Sequence, residues 1–301
     1  MIFSDITPED GRWARPLLEA NGSRSCEYSF VNIYMWKRVY KTKIAHFEDF
    51  LISRNGVTRN DIDRLHYLFP AGTGNIKKAI DAILLDAEEL GREMMLFSLT
   101  EKEKDQMEDL YPGRFTYNSP RGESDYIYLA SDLAGLPGKK YQKKRNHCSR
   151  FERDNPNWEF HEITPEAMQE VCEFNNTWCN LYDNRGDEGI AEEHLAIEQA
   201  CRHYDELRLK GGYITIGERV VAFSFGSPLG ADMFVTHVEK ALYDVSGAYA
   251  VINREMARHF CEGYKYINRE NDVDGNGLRE AKLSYHPAFL EHKYTAELKS
   301  R

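Results

Sequence analysis

"YITIGERVVAFSFGSPLGADMFVTHVEK", residues 213–240, alternates β-branched and aromatic runs with turn chemistry at Gly217-Glu218-Arg219 and Pro228-Leu229-Gly230. That spacing predicts an antiparallel meander. Downstream of it, "GAYAVINREMARHFCEGYKYINRE" at 247–270 reads as a helix closed by Gly263 and then a strand. Upstream of it, "ITPEAMQEVCEFNNTWCNLY" opens with Thr-Pro-Glu, a helix start with Thr as cap and Pro in the first turn. The order in this half is therefore helix, antiparallel strands, helix, strand.

The same order occurs earlier in the chain. Ile-Thr-Pro-Glu stands at 6–9 as well as at 163–166, and "FEDFLISRNG" (47–56) reads as a strand. "NIKKAIDAILLDAEELGREMMLFSL" (75–99) again gives a long helix, a glycine at the helix end (Gly91) and a strand. A tandem duplication is expected, with an N-terminal domain over 1–135 and a C-terminal domain over 136–301. The fold class is α+β, with mostly antiparallel mixed sheets flanked by helices.

At 301 residues, two domains of ordinary size are allowed. No apolar run reaches the roughly 18 to 20 residues that span a bilayer, and no basic flank leads into an apolar start, so a cytoplasmic protein without a transmembrane segment is expected. Six cysteines are scattered with no CxxC pair, which predicts reduced thiols and neither a disulfide framework nor a zinc site. A net charge of −10 argues against a general nucleic-acid binder.

Against that background "GKKYQKKRNHCSRFER" (138–153) carries seven Lys or Arg and one Glu. Read as a helix over 139–153, it aligns Tyr141, Cys148 and Phe151 as a seam for the core and leaves Lys139, Lys140, Lys143, Lys144, Arg145, His147 and Arg150 to meet phosphates. Pairing with neighbouring acids such as Asp154 is the plainer alternative. "NRENDVDGNGLREAKLSYHP" (268–287) puts polar residues at a strand end. There Asn268, Glu270 and Asp272 suit a substrate amine, Arg269 and Arg279 a carboxylate or phosphate, and Tyr285 with Lys282 an acid and an oxyanion partner. The acids of this loop do not follow a calcium-loop pattern, so no metal is expected. Trp178, Tyr182 and Arg185 are candidates for an acceptor pocket or for a helix core.

The element order resembles the GNAT acyltransferase fold. The blocks at 139–153 and 266–287 resemble the C-terminal catalytic region of phosphatidylglycerol lysyltransferases, a region shared with the DUF2156 family. The resemblance implies two GNAT-like (acyl-CoA N-acyltransferase) domains in tandem and transfer of an aminoacyl group from aminoacyl-tRNA, with no tightly bound cofactor. It also brings tRNA and an anionic lipid or small amine acceptor into view as partners. Two alternatives stay open: a catalytically silent module that binds an anionic ligand or partner, and a CoA-dependent N-acetyltransferase. For acyl-CoA, "YDVSGAYAV" (243–251) departs from the phosphate-binding pattern, with Asp244 and Tyr249 where a Gln or Arg and a small residue are expected.

Overall fold

The structure, a computed structural model, describes residues 1–57, 63–182 and 188–299. Arg185 and Gly186 lie outside the described residues. Along the chain come β1 (Ser4–Asp5), α1 (Gly11–Asn21), α2 (Phe30–Met35), α3 (Lys37–Tyr40), β2 (Lys43–Phe47) and β3 (Phe50–Asn55). Next are β4 (Leu65–Leu68), β5 (Ala71–Gly72), α4 (Ile76–Glu89), β6 (Met94–Leu99), α5 (Glu101–Leu110) and β7 (Phe115–Asn118). Then come β8 (Asp125–Leu129), α6 (Ala130–Gly135), α7 (Gln142–Asp154), β9 (Trp158–Glu162), α8 (Met168–Tyr182), α9 (Glu188–Arg202), β10 (Lys210–Ile216) and β11 (Arg219–Leu229). The chain closes with β12 (Met233–Ala241), α10 (Ala248–Phe260), β13 (Tyr266–Asn268), α11 (Asn276–Leu283), β14 (Phe289–Glu291) and β15 (Tyr294–Leu298).

Two compact units result: Met1–Asp125 with Glu291–Arg301, and Tyr126–Leu290. The chain divides at 125 and not at the expected 135, and its tail returns to the first unit. Strand pairing is the reason. β8 pairs with β13 in the second sheet, whereas β15 pairs with β6 and β7 in the first. Neither partner can be named from a strand's own sequence.

The sheet orders match position by position: β1-β2-β3-β4-β6-β15-β7 in the first unit and β9-β10-β11-β12-β13-β8-β14 in the second. In each, an antiparallel meander leads through one helix to a parallel neighbour, β4 to β6 and β12 to β13. The expected tandem GNAT-like architecture is present. The next position is filled in each unit by a strand that comes after the other repeat's own last strand in sequence, β15 after β14 and β8 after β7. The helix-ending glycines fall at φ 62° (Gly91) and 91° (Gly263), the left-handed conformation that their positions require.

In the second unit β10 and β11 are joined at Ile216 and Arg219 across a two-residue turn with Gly217 at φ 60°, and their register shifts once, between Ile214 and Thr215. Ala222, Phe223, Ser224 and Phe225 are buried in succession, so both faces of β11 are covered. Phe223 and Phe225 meet Phe174 of α8 and Tyr204 edge-on. The first unit's core gathers Ile52, Tyr67, Ile80, Ile83, Leu96 and Leu99 between its sheet and α4.

An ion cluster lies inside the first unit. The Lys293 ammonium donates to both oxygens of Glu27 (2.7 and 2.9 Å) and to Asp125 (2.8 Å), and Asp125 also accepts from the Cys26 amide at 2.8 Å. Cys26, Glu27 and Asp125 are spaced closely enough for a metal, but the lysine ammonium already supplies the cation. Among the described residues no helix is long and apolar enough to cross a membrane.

Candidate active site in the second unit

β12 and β13 pair in parallel only over Met233–Val235 and Tyr266–Asn268. Beyond that the main-chain ladder stops, and side chains bridge the two strands. Arg269 donates to Glu239 at 2.8 Å, with both side chains 11% exposed. Glu239 also accepts from Asn253 of α10 at 2.9 Å. Two polar atoms in this group, Arg269 Nη1 and Asn253 Oδ1, are buried with no hydrogen-bond partner among the described residues. Such atoms are costly unless something else binds them, so they mark where a ligand gains most.

The basic segment takes its expected seam. Tyr141, Cys148 and Phe151 are buried, and Glu152 anchors α7 to Arg254 of α10 at 2.7 Å. Its cations divide into three groups. Lys140 pairs with Asp132, and Arg150 and Arg153 pair with Asp154, as the plainer alternative anticipated, while Arg145 donates to the carbonyls of Leu136 and Gly138. Lys139 and Lys143 are exposed and make no ion pair among the described residues. Lys144 turns inward, its Nζ 3.7 Å from the centroid of the Tyr285 ring, and Arg269 lies 4.8 Å from the same ring.

Burial, and then the nearby Arg269 charge, bring the Lys144 ammonium down to about 8. On Arg269, burial works against the charge, but Glu239 outweighs it and holds the guanidinium protonated. Burial pushes the Tyr285 hydroxyl above its ordinary range, so it stays a donor at neutral pH. Burial, then Lys144, lowers His147 on the same helix.

The rest of the 268–287 block braces this group. Lys282 donates to the carbonyl of Arg269 at 2.6 Å and to that of Asn271, and its own carbonyl accepts from Tyr128 at 2.8 Å. Its ammonium is thus committed to main chain, and the lysine that stands beside Tyr285 is Lys144. Asp272 accepts from Arg279 at 2.7 and 2.9 Å and from Tyr126 at 2.6 Å. Burial opposes ionisation of this carboxyl, yet the Arg279 and Tyr126 hydrogen bonds bring it down to about 2. Arg279 is held by Asp272 and Asp274, and the Asn268 amide oxygen accepts from the Glu270 amide. His286 is a turn residue at φ 52° bonded to the Lys140 carbonyl.

Glu270 reaches His237 Nδ1 at 2.9 Å, and His237 Nε2 meets Ser227 Oγ at 2.8 Å. A carboxylate only accepts, so Nδ1 carries the hydrogen, and in the neutral ring Nε2 accepts from the serine. The chain has the members of a nucleophile relay in reverse order of burial: Ser227 is 3% exposed, whereas the acid lies toward solvent. It serves as a strut across three neighbouring strands. Glu239, Asn253, His237 and Ser227 escape sequence reading because the partner of each lies on a different element.

Trp178 and Tyr182 belong to an aromatic cluster with Tyr243. The Trp178 indole donates to the Ala241 carbonyl at 2.9 Å, and Lys240 lies 3.8 Å from its ring centroid. At the start of α10, Gly247 has φ 90°, and a Cβ there would stand 2.5 Å from the His147 carbonyl oxygen. The α7 backbone therefore packs directly against the first turn of α10.

The chain matches the family described as "Phosphatidylglycerol lysyltransferase, C-terminal" over residues 19–297. A conserved protein of unknown function from Bacteroides thetaiotaomicron is 37% identical, with TM-score 0.93, over 99% of this chain and 100% of that one. The structure of L-PGS from Bacillus licheniformis shares the fold at 16% identity and TM-score 0.68, over 100% of this chain and 95% of that one. An uncharacterized protein of Mycoplasmoides gallisepticum is 23% identical over 181 residues, 58% of this chain. That match takes in 56% of the Mycoplasmoides protein, so the chain spans little more than half of this relative's length.

Proposed function

The chain belongs to the phosphatidylglycerol lysyltransferase C-terminal family, and on that premise we propose that it transfers an aminoacyl group from a charged tRNA to a nucleophilic acceptor. The observation that carries the proposal is the buried Arg269 guanidinium, held by Glu239 with Nη1 unpartnered, beside Lys144 and Tyr285. A cation so placed, in a site shielded from water, suits an oxygen that becomes negative during reaction.

Chemically, the acceptor attacks the ester carbonyl of the aminoacyl group. Lys144, partly free amine near neutral pH, takes the acceptor's proton. Arg269 Nη1 donates to the tetrahedral oxyanion. Collapse of the intermediate breaks the ester, and the proton returns through Lys144 or the Tyr285 hydroxyl to the departing ribose oxygen. Lys139 and Lys143, exposed and without an ion pair among the described residues, bind donor phosphates. Acyl-CoA is a poorer donor here because α7 stands against Gly247, beside the helix start that would otherwise receive a pyrophosphate.

The test offers the protein tRNA charged with labelled amino acids, or labelled acetyl-CoA, together with anionic vesicles or with small amines. Label leaving the tRNA and appearing in one acceptor fraction is the expected result, and the fraction names the acceptor class. Acetylation from CoA with inert tRNA would replace the proposal by an acetyltransferase, and no transfer from either donor would replace it by a binding module.

A further inference from the structure

Apart from the site on β12 and β13, helices α8 and α9 border an open cavity of about 230 Å³. Met168, Cys172 and Asn175 line it from α8, and Ile197, Glu198 and Cys201 from α9. Two cysteines distant in sequence thus line one small space, one from each helix. The pair is unequal. Cys201 is 6% exposed, while Cys172 is only half-buried. The neighbouring Cys201 thiol holds the Cys172 thiol below its ordinary value, while Cys172 and burial together raise Cys201, so the more accessible sulfur is the one favoured as thiolate.

The cavity is large enough to admit water or a hydroperoxide. The other cysteines differ. Cys26 is tied to Asp125, and burial raises Cys148 and takes Cys261 up to about 12.

We propose that Cys172 and Cys201 are a peroxide-reactive pair whose disulfide joins α8 to α9. The Cys172 thiolate attacks one oxygen of a hydroperoxide that enters the cavity. The O–O bond breaks, hydroxide or alkoxide leaves and takes a proton, and Cys172 becomes a sulfenic acid. The Cys201 sulfur then displaces the sulfenic oxygen as water, its thiol proton leaving with it, and the S–S bond forms. Two thiols are oxidised by two electrons, and one hydroperoxide is reduced. The pair owes nothing to the acyl-transfer reading, since none of its atoms lies in that site. The reaction nevertheless reaches the same sheet, because α8 and α9 hold the end of β12 through Trp178 with Ala241 and Glu193 with Lys240.

The test titrates the full-length, reduced protein with hydrogen peroxide and maps its thiols by mass spectrometry without reducing agent. One equivalent is expected to give a peptide linking Cys172 to Cys201, with Cys26, Cys148 and Cys261 still reduced and the link reversed by dithiothreitol. In Cys201→Ser the sulfenic acid persists and is trapped on Cys172 by dimedone, while Cys172→Ser leaves Cys201 untouched. The oxidised wild type melts several degrees higher, since the link restrains the unfolded chain. First oxidation at Cys179 or any other thiol, or a Cys172 that takes up dimedone at no more than the rate of a free thiol, overturns the proposal. The wild-type map decides this even if a variant folds poorly.

Discussion

The parallel strand pair in the first unit and its counterpart in the second start from the same topology and end differently. β4 and β6 stay in register from Leu65 with Met94 to Leu68 with Phe97, and the Phe69 amide continues the ladder to the Phe97 carbonyl at 3.1 Å. Around that junction the side chains are Leu65, Tyr67, Phe69, Leu96 and Leu99, all buried. β12 and β13 part after three pairs, and the positions beyond carry His237, Glu239, Arg269 and Glu270. The helix after the meander also differs: Asn75 caps α4 with its side chain, whereas α10 starts at a glycine pressed against another helix. One copy of the plan is zipped shut by apolar pairing, and the other is kept apart by charge.

Two arginines make the contrast quantitative. Arg54 in the first unit bonds Asp86 at 2.6 Å, and Tyr67 completes that carboxylate at 2.6 Å. Arg269 bonds Glu239 at 2.8 Å with similar burial but leaves Nη1 unpartnered. The first arrangement is satisfied from within the fold, and the second waits for a ligand.

The largest expected effect breaks the first unit alone. Lys293→Met strips the ammonium from Glu27 and Asp125 and leaves one buried and one half-buried carboxylate without their cation, at a cost of about 3–5 kcal/mol in urea unfolding. Restoring neutrality with Glu27→Gln and Asp125→Asn in the same chain recovers part of the loss. An unchanged midpoint for Lys293→Met would mean that the returning tail is held by β15 pairing alone.

Next comes the acid limb of the second unit. Asp272 titrates near 2 in the fold against an ordinary 3.8, so its contribution is complete above the higher value and is lost as pH falls toward the lower. Stability measured from pH 5 to pH 2 should fall more shallowly in Asp272→Asn than in the wild type, from a lower starting point. Parallel curves would remove Asp272 from the bracing of the site.

Lys144 gives a smaller, sharper signal. Its folded value near 8 lies below the ordinary 10.5, so the free amine grows as pH rises through about 8, and turnover should rise with it to a plateau. The same shift lets the fold gain stability between those two values, where the unfolded chain still holds the proton that the native lysine has released. Lys144→Arg should flatten the rate profile, and a rise that survives in the variant would assign the titration to another group. The least effect is expected at the exposed end of the basic segment: Lys139 and Lys143 changed together to Ala should weaken tRNA binding about threefold to tenfold and reduce its salt dependence.

Much of this was legible before any coordinates. The meander at 213–240, the glycines that end α4 and α10, the buried seam of α7 and the doubled element order all come from local patterning, which reports local structure. The strand assignments of β8 and β15 did not, because a strand's period shows which faces it has and not which sheet it joins. Within the site, Arg269 and Tyr285 were visible as polar residues at a strand end. The inward turn of Lys144 was not, since in a basic segment with seven cations only packing against Tyr285 decides which one is desolvated. Lys282 looked equivalent in sequence until its two carbonyl partners were seen.

The most direct measurement is single-turnover loss of label from aminoacyl-tRNA with the wild type, Arg269→Lys and Arg54→Lys side by side in the presence of the acceptor fraction. Each variant keeps the charge and loses the fork that bonds a carboxylate with one nitrogen while another remains to donate. A site between β12 and β13 predicts that Arg54→Lys, destabilised as its buried ion pair requires but folded, stays within about threefold of the wild type, while Arg269→Lys falls about 10²- to 10³-fold. Equal losses in the two variants, or an Arg269→Lys protein as fast as the wild type, would contradict a site in that gap.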